Sequence, residues 1–239
     1  MSRAVVAMTL SALFACTYPE KEFEGPYTCL GAPPPTSADM LVTIRGQTVN
    51  PSDLMPLTGV SLTLQDRNMS TISGPVTTGA GGAFQFSLNT NGTPVDGVYL
   101  NSSASGRVNS YYAPARPVTE DLQLGLAILS TMQADSLALG ALGAPFTAGT
   151  GTVLLIINDC NEKPIAGATL SSAPAGVVRY FDGIQPSMTA TVTDAGGVAL
   201  VANLPPGVVR LTVTAGGMTF PARSFNIVAD AFIQTVIQP

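Results

Sequence analysis

The chain contains no histidine and no tryptophan among its 239 residues. Histidine is the only side chain whose ordinary pKa lies near neutrality, and it is the commonest metal ligand. Its absence removes Ser-His-Asp and Cys-His nucleophiles, His-ligated zinc and His-iron sites together. Lysine occurs only at Lys21 and Lys163, so Ser-Lys or Schiff-base chemistry would have to use one of those two. Charged residues make up 10% of the sequence and the net charge is −5. Such a surface repels phosphate backbones, which excludes nucleic acid as a partner. Glu20, Glu22 and Glu24 crowd the N-terminal region, and no convincing carboxylate pair for glycoside hydrolysis is left. The expectation is a protein that is not an enzyme and holds no cofactor or metal.

What is abundant points to β-structure. Apolar residues reach 46%, many of them β-branched, beside 24 glycines and 19 prolines. Few charges with many turn formers describe an all-β protein rather than a disordered chain or a helix bundle. The length suits two domains of about 100 residues each.

Long apolar runs are missing too. The stretch from Ala4 to Ala12, after Ser2 and Arg3, is too short to cross a hydrocarbon core of about 30 Å and reads as the h-region of a signal peptide. It closes with Leu13-Phe14-Ala15-Cys16, which resembles the lipobox of bacterial lipoproteins, with Phe14 where a small residue is usual. The resemblance implies removal of residues 1–15, lipidation of Cys16, and attachment to a membrane through the acyl chains. Thr17 in place of aspartate resembles the outer-membrane sorting pattern of Gram-negative lipoproteins, so the expected location is the bacterial cell envelope, at the outer membrane, facing the periplasm or the cell surface.

Residues 16–40 read as a tether. Its first half is acidic, and Pro33-Pro34-Pro35 extends at about 3.1 Å per residue as a semi-rigid spacer that lifts the body off the lipid. Two segments, 41–129 and 150–239, then repeat one order of features, the mark of an internal duplication. In the first, Leu41 to Ile44 leads to Pro56-Leu57-Thr58-Gly59-Val60, and Thr78-Gly79-Ala80-Gly81-Gly82 opens the strand Ala83 to Leu88. In the second, Thr152 to Ile157 leads to Lys163 through Leu170, and Thr193-Asp194-Ala195-Gly196-Gly197 opens Val198 to Val201. Gly59 and Gly167 lie 108 positions apart, Gly82 and Gly197 lie 115 apart. Alternation of period two between turn signals predicts antiparallel strands. The fold class is all-β, two tandem Ig-like or prealbumin-like antiparallel β-sandwiches, with one short helix between them in the linker 130–149. Ser130 and Gln133 form a capping box at its start, and Gly143-Ala144-Pro145 stops it.

The run from Lys163 to Thr169, Thr193 to Gly197 and Leu204-Pro205-Pro206-Gly207 resembles carboxypeptidase regulatory-like domains, members of the transthyretin-like β-sandwiches. The match is good over 150–239 and weaker over 41–129, where the Pro-Pro-Gly turn is missing. The resemblance implies a fold and leaves the ligand open. Intradiol ring-cleavage dioxygenases share such turns but hold iron with two tyrosines and two histidines. Hydroxyisourate hydrolases also need histidines, and self-linking pilin sandwiches need a strand lysine that 41–129 does not contain.

Cys29 and Cys160 remain after Cys16, an even pair that suggests a disulfide in an oxidising compartment, two separate thiols being the alternative. Asp194, and Asp159 with Glu162, read as turn residues rather than calcium ligands, because each stands nearly alone. Asp182 completes the carboxylates open to a hydrolase reading of domain two. Tyr111-Tyr112 and Tyr180-Phe181 are adjacent aromatics, whose side chains point to opposite faces of a strand. One ring of each pair is expected in the core and the other at the surface, where it could stack on a sugar or peptide. The leading reading is a non-enzymatic, membrane-anchored structural or interaction module with an envelope protein or polysaccharide as partner, and the alternative is a polysaccharide- or peptide-binding module.

Overall fold

The computed structural model describes residues 23–239. Alternating apolar residues form strands with the two-residue burial period that a pleated backbone imposes. Strand β1 (Leu41–Val49) buries Val42, Ile44 and Thr48, and β4 (Ala83–Asn89) buries Phe84, Phe86 and Leu88. β4 pairs antiparallel with β1, and β7 (Leu122–Ala127) runs parallel to β1 on its other side. Gly46 sits in the middle of this three-stranded sheet. A Cβ there would stand 2.1 Å from the Leu124 carbonyl oxygen and 2.9 Å from the Phe84 ring, so only glycine fits.

A nine-stranded sheet forms the centre. From one edge to the other it runs β11 (Gln185–Ser187), β10 (Val177–Asp182), β12 (Val198–Leu204), β8 (Gly151–Ile157), β16 (Ala231–Ile237), β6 (Asn109–Ala113), β5 (Tyr99–Ser103), β2 (Ser61–Gln65) and β3 (Thr71–Thr77). A third sheet holds β13 (Gly207–Ala215) with β14 (Met218–Thr219) and β15 (Arg223–Ile227), and β9 (Thr169–Ala173) pairs with β13 as well. The fold is therefore an all-β sandwich in each half of the chain. The three-stranded sheet covers the first half of the central sheet, and the third sheet covers the second half from the opposite side.

The two halves share the central sheet through β16. This last strand runs parallel to β8 on one side and to β6 on the other. Phe232 and Val236 point into the core beneath the three-stranded sheet, and Ile233 and Ile237 point into the core beneath β13. With both faces covered, β8 and β16 are buried throughout, which is why they read as nearly continuous apolar runs. The two polar residues of β16 donate to carbonyls of the first half, Gln234 Nε2 to Ala127 O at 2.6 Å and Thr235 Oγ1 to Ala113 O at 2.8 Å, while the buried Gln234 Oε1 accepts no hydrogen bond.

Helix α1 (Thr131–Leu142) has the expected capping box. Gln133 N donates to Ser130 Oγ at 3.2 Å, and Gln133 Oε1 accepts from Ser130 N at 2.7 Å. Gly143 ends it in the left-handed conformation at φ 71°, the usual role of glycine past a helix end. Its buried residues Ala134, Ala138 and Ala141 are all small, which lets the helix lie close against β11. Arg179 Nε holds the C-terminal carbonyl of Ala141 at 2.8 Å, a favourable place for a cation.

The duplication extends to individual hydrogen bonds. In the first half Thr78 Oγ1 accepts from Val60 N at 3.0 Å and donates to Leu57 O at 2.8 Å. In the second half Thr193 Oγ1 accepts from Ala168 N at 2.9 Å and donates to Ile165 O at 2.7 Å. Gly82 and Gly197, at φ 69° and 65°, occupy matching corners, where a Cβ would stand 2.4 Å from Thr48 O and 2.6 Å from Ile157 O respectively.

The tether departs from the free spacer expected over 16–40. From Phe23 onward it is strapped to the second half. Phe23 N donates to Asn161 Oδ1 at 2.8 Å, and Asn161 Nδ2 returns a bond to Phe23 O at 3.1 Å. Cys160 N donates to Pro26 O at 2.9 Å, Tyr27 packs on Phe220 at 6.1 Å between centroids, and Cys29 is bonded to Cys160 in a disulfide. Gly216 leaves room for the Tyr27 ring, to which a Cβ would come within 2.7 Å. Aromatic and thiol groups outweigh the solvation of the acidic half, and the prolines only bridge onward to the first half, where Ala38 N meets Gly92 O.

Two outcomes are expected. The disulfide spans a sequence separation of 131, and in the chain-entropy account a loop this long is worth about 5 kcal/mol. Urea unfolding with and without reductant measures the difference; equal midpoints would show that the bridge contributes nothing. Thr78→Val and Thr193→Val each leave a buried N–H and carbonyl without the hydroxyl, and each is expected to cost about 1–3 kcal/mol. The two losses should be similar because the two constellations are.

Candidate functional site

Cys16 lies outside the described residues. Tyr111, Tyr112, Tyr180 and Phe181 are all buried, with exposures of 6%, 2%, 6% and 3%. This corrects the expectation of one exposed ring per pair. Alternate residues do point to opposite faces, but both faces of the central sheet are covered here, so Tyr112 and Phe181 enter one core and Tyr111 and Tyr180 the other. Tyr180 spends its hydroxyl on Leu170 N at 2.8 Å. None of the four offers a stacking face.

The acidic residues of the second half organise turns. Asp159 Oδ1 accepts from Asn161 N at 2.8 Å and Lys163 N at 2.9 Å. Asp194 accepts from Gly196 N at 2.9 Å and Gly183 N at 2.6 Å. These are Asx turns. Among the described residues no three His, Cys, Asp or Glu side chains converge as a metal site would require.

A site that sequence reasoning missed lies where the two halves meet. A cavity of about 470 Å³ opens between the segments Val95–Tyr99 and Ala113–Val118 of the first half and Ala222–Asn226 of the second. Its size is in the range of small-ligand pockets. Buried Tyr99 and Phe225 lie at its base, and Arg67, Arg116 and Arg223 stand on its walls. Each arginine comes from a different structural position: Arg67 from the turn after β2, Arg116 from the segment after β6, Arg223 from the start of β15. Arg67 Nη2 is 3.4 Å from Asp96 Oδ2, with both side chains largely exposed. Arg223 is fixed by donation from Nη2 to Pro114 O at 2.9 Å and by its position over the Phe225 ring, 5.7 Å from the centroid. Tyr99 OH accepts from Asn226 N at 3.0 Å. Burial pushes the Tyr99 phenol above its ordinary value, against the lowering effect of that bond and of Arg223 and Arg67, so it stays protonated at neutral pH.

No single motif marks this site, because its arginines are spread over three segments. The available signal was numerical. The whole chain has ten basic residues against fifteen acidic ones, and three of the ten face one cavity beside a single carboxylate, Asp96.

No family model matches the chain, and no curated protein matches it. Solved structures similar to it include the TIE protein of Bacillus anthracis, at 13% identity over 84% of this chain and 34% of that one, with a TM-score of 0.30. The streptococcal ancillary pilin shows 12% identity over 83% of this chain and 62% of that one, TM-score 0.27. The minor pilin of Streptococcus agalactiae shows 16% identity over 84% and 95%, TM-score 0.26. The chain thus spans about a third of the length of the first and under two thirds of the second. The superpositions are loose, and the function is argued from this chain's own residues.

Arg116 also faces Glu162, in the turn that carries the strap. Burial raises the Glu162 pKa above its ordinary 4.5, outweighing Arg116 and a hydrogen bond from Gln238, which both lower it. The folded state therefore holds the proton to higher pH than the unfolded chain, and stability falls as pH rises from the ordinary value through the raised one. Glu162→Gln removes this loss. Its melting temperature should gain on the wild type as pH rises above the ordinary carboxyl value; a difference that stays constant through that rise would contradict the argument.

Proposed function

We propose that this chain is a non-enzymatic lipoprotein of the bacterial envelope, anchored in the outer membrane through Cys16, whose paired sandwiches act as a structural or interaction module. The observation that carries this reading is the strap. Residues from Phe23 to Cys29 are held on the second half by a reciprocal amide pair, an aromatic contact and a disulfide. A segment held in this way transmits position from whatever lies upstream. Only six residues separate Cys16 from Phe23, and extended they reach roughly 20 Å. An acylated Cys16 would keep the body close to the bilayer, with the Cys160–Lys163 turn on the near side. More than one buried acyl chain makes such attachment durable. The second reading, a ligand-binding module, is favoured by the cavity lined with arginines.

Radiolabelled palmitate should be incorporated by the wild-type chain in a bacterial host and lost in Cys16→Ser, which should move to the soluble fraction on cell lysis. Equal labelling, or an unchanged distribution, would refute the anchor.

A further inference from the structure

We infer that the outer face of α1 pairs with the same face of a second copy of this chain. The inference rests on the interaction-module reading and supplies a partner, but it does not depend on the anchor. Its first support is an inversion of the usual helix pattern. α1 buries the small side chains of Ala134, Ala138 and Ala141 and leaves Met132 77% and Leu139 55% exposed. At 3.6 residues per turn, Met132, Ser136 and Leu139 fall on one stripe, opposite the buried alanines. A helix with apolar groups on both faces is ordinarily covered on both. The surroundings extend the stripe. At its C-terminal end the sulfur of Met188, itself 61% exposed, lies 3.9 Å from where a Cβ on Gly143 would stand. At its start Gln133 Nε2 donates to Asn50 Oδ1 at 2.8 Å and so holds the loop that carries the exposed Leu54 and Met55. Leu54 takes φ 58°, a costly conformation for a branched side chain. It is kept there by Leu54 N donating to Asn50 O and Asn50 N to Met55 O, both at 2.9 Å. Exposed apolar groups gathered and fixed in this way mark an interaction surface.

Placement, composition and symmetry select a second copy as the occupant. Thr131 N donates to Gly106 O, ahead of β6, and the chain runs from α1 into the start of β8, whereas the strap joins after the end of β8. The seven residues of that strand, about 23 Å of extended chain, separate the two, so an anchor at the strap turns the patch away from the bilayer. A lipid surface is therefore not what covers it. Asp135 is the one charge among the twelve residues of α1, and the stripe matches a surface as apolar as itself. Met132 and Leu139 stand two turns apart with Ser136 between them. When two such helices cross antiparallel, Met132 of each copy meets Leu139 of the other, as an isologous two-fold contact requires. Ser136 at the crossing is small, and its Oγ donates to Met132 O at 2.9 Å, so it can be covered without losing a partner. The same axis brings the two Asp135 carboxylates near each other, and their repulsion keeps the pairing weak and reversible.

Sedimentation velocity of the purified Cys16→Ser chain over a concentration series tests this. It should show a reversible equilibrium between monomer and dimer. Met132→Glu and Leu139→Glu should each raise the dissociation constant by about tenfold or more, the worth of one large apolar side chain withdrawn from water. Asp135→Asn should lower it about two- to fivefold, the scale of an exposed charge pair. Leu41→Glu, the same change at an exposed residue of β1, should leave it within about twofold, the scale of a distant screened charge. Met132 is exposed in the single chain, so the melting temperature of dilute Met132→Glu should not fall, which separates a lost interface from a lost fold. Under mild oxidation Ser136→Cys should link copy to copy, and Ser87→Cys, exposed on β4, should not. A monomer at every concentration, a dimer indifferent to Met132→Glu, equal weakening by Met132→Glu and Leu41→Glu, weakening by Asp135→Asn, or no link through Ser136→Cys would each overturn the inference. Failure of the anchor would show in the palmitate labelling instead.

Discussion

The pairing of β16 with two parallel neighbours is the constraint on which the rest of the molecule depends. Without it the chain would be two sandwiches joined by a linker, each with an open sheet edge. With it, β6 and β8 become interior strands, and unpaired backbone groups that invite wrong association are removed from both halves. The same strand places Gln234 and Thr235 against carbonyls of the first half. Buried polar groups of this kind set register as well as stability, because a slip by one residue would leave each amide and hydroxyl without its partner.

Sharing a sheet also explains the aromatic pairs. In an isolated sandwich one face of each sheet meets water and an adjacent pair of rings divides between core and surface. Here the first half is covered from one side and the second from the other, and the strands at the junction are covered from both. Tyr111 and Tyr112 therefore disappear into two different cores. Beside β15 of the third sheet, where segments of the first half come against it, lies the cavity with the three arginines.

Local features were legible in the sequence. Ser130 with Gln133 marked the helix start, Gly143 its end, and the two Thr-x-Ala-Gly-Gly-like runs marked equivalent corners, because caps and turns depend on residues a few positions apart. The β16 joint was not legible. Parallel pairing of β16 with β6 leaves no turn between the partners and no local residue pattern, only a run of buried apolar residues that any interior strand would show. The strap was misread for a related reason: acidic and proline-rich composition describes how a segment behaves in water, whereas Tyr27 and Phe23 find partners that are distant in sequence. Arg67, Arg116 and Arg223 were invisible as a group because the fold alone brings their segments together.

The strap has a mechanical consequence. Tension applied upstream of Phe23 enters the body at Cys29 and crosses covalently to Cys160, in the turn that follows β8. Everything between those cysteines, including the whole first half, hangs as a closed loop outside the line of force. Cys29 Sγ also lies 3.7 Å from the carbonyl of Pro239, so the load arrives beside the end of β16. A pull transmitted this way bypasses the half that carries most of the cavity wall and leaves it unstretched.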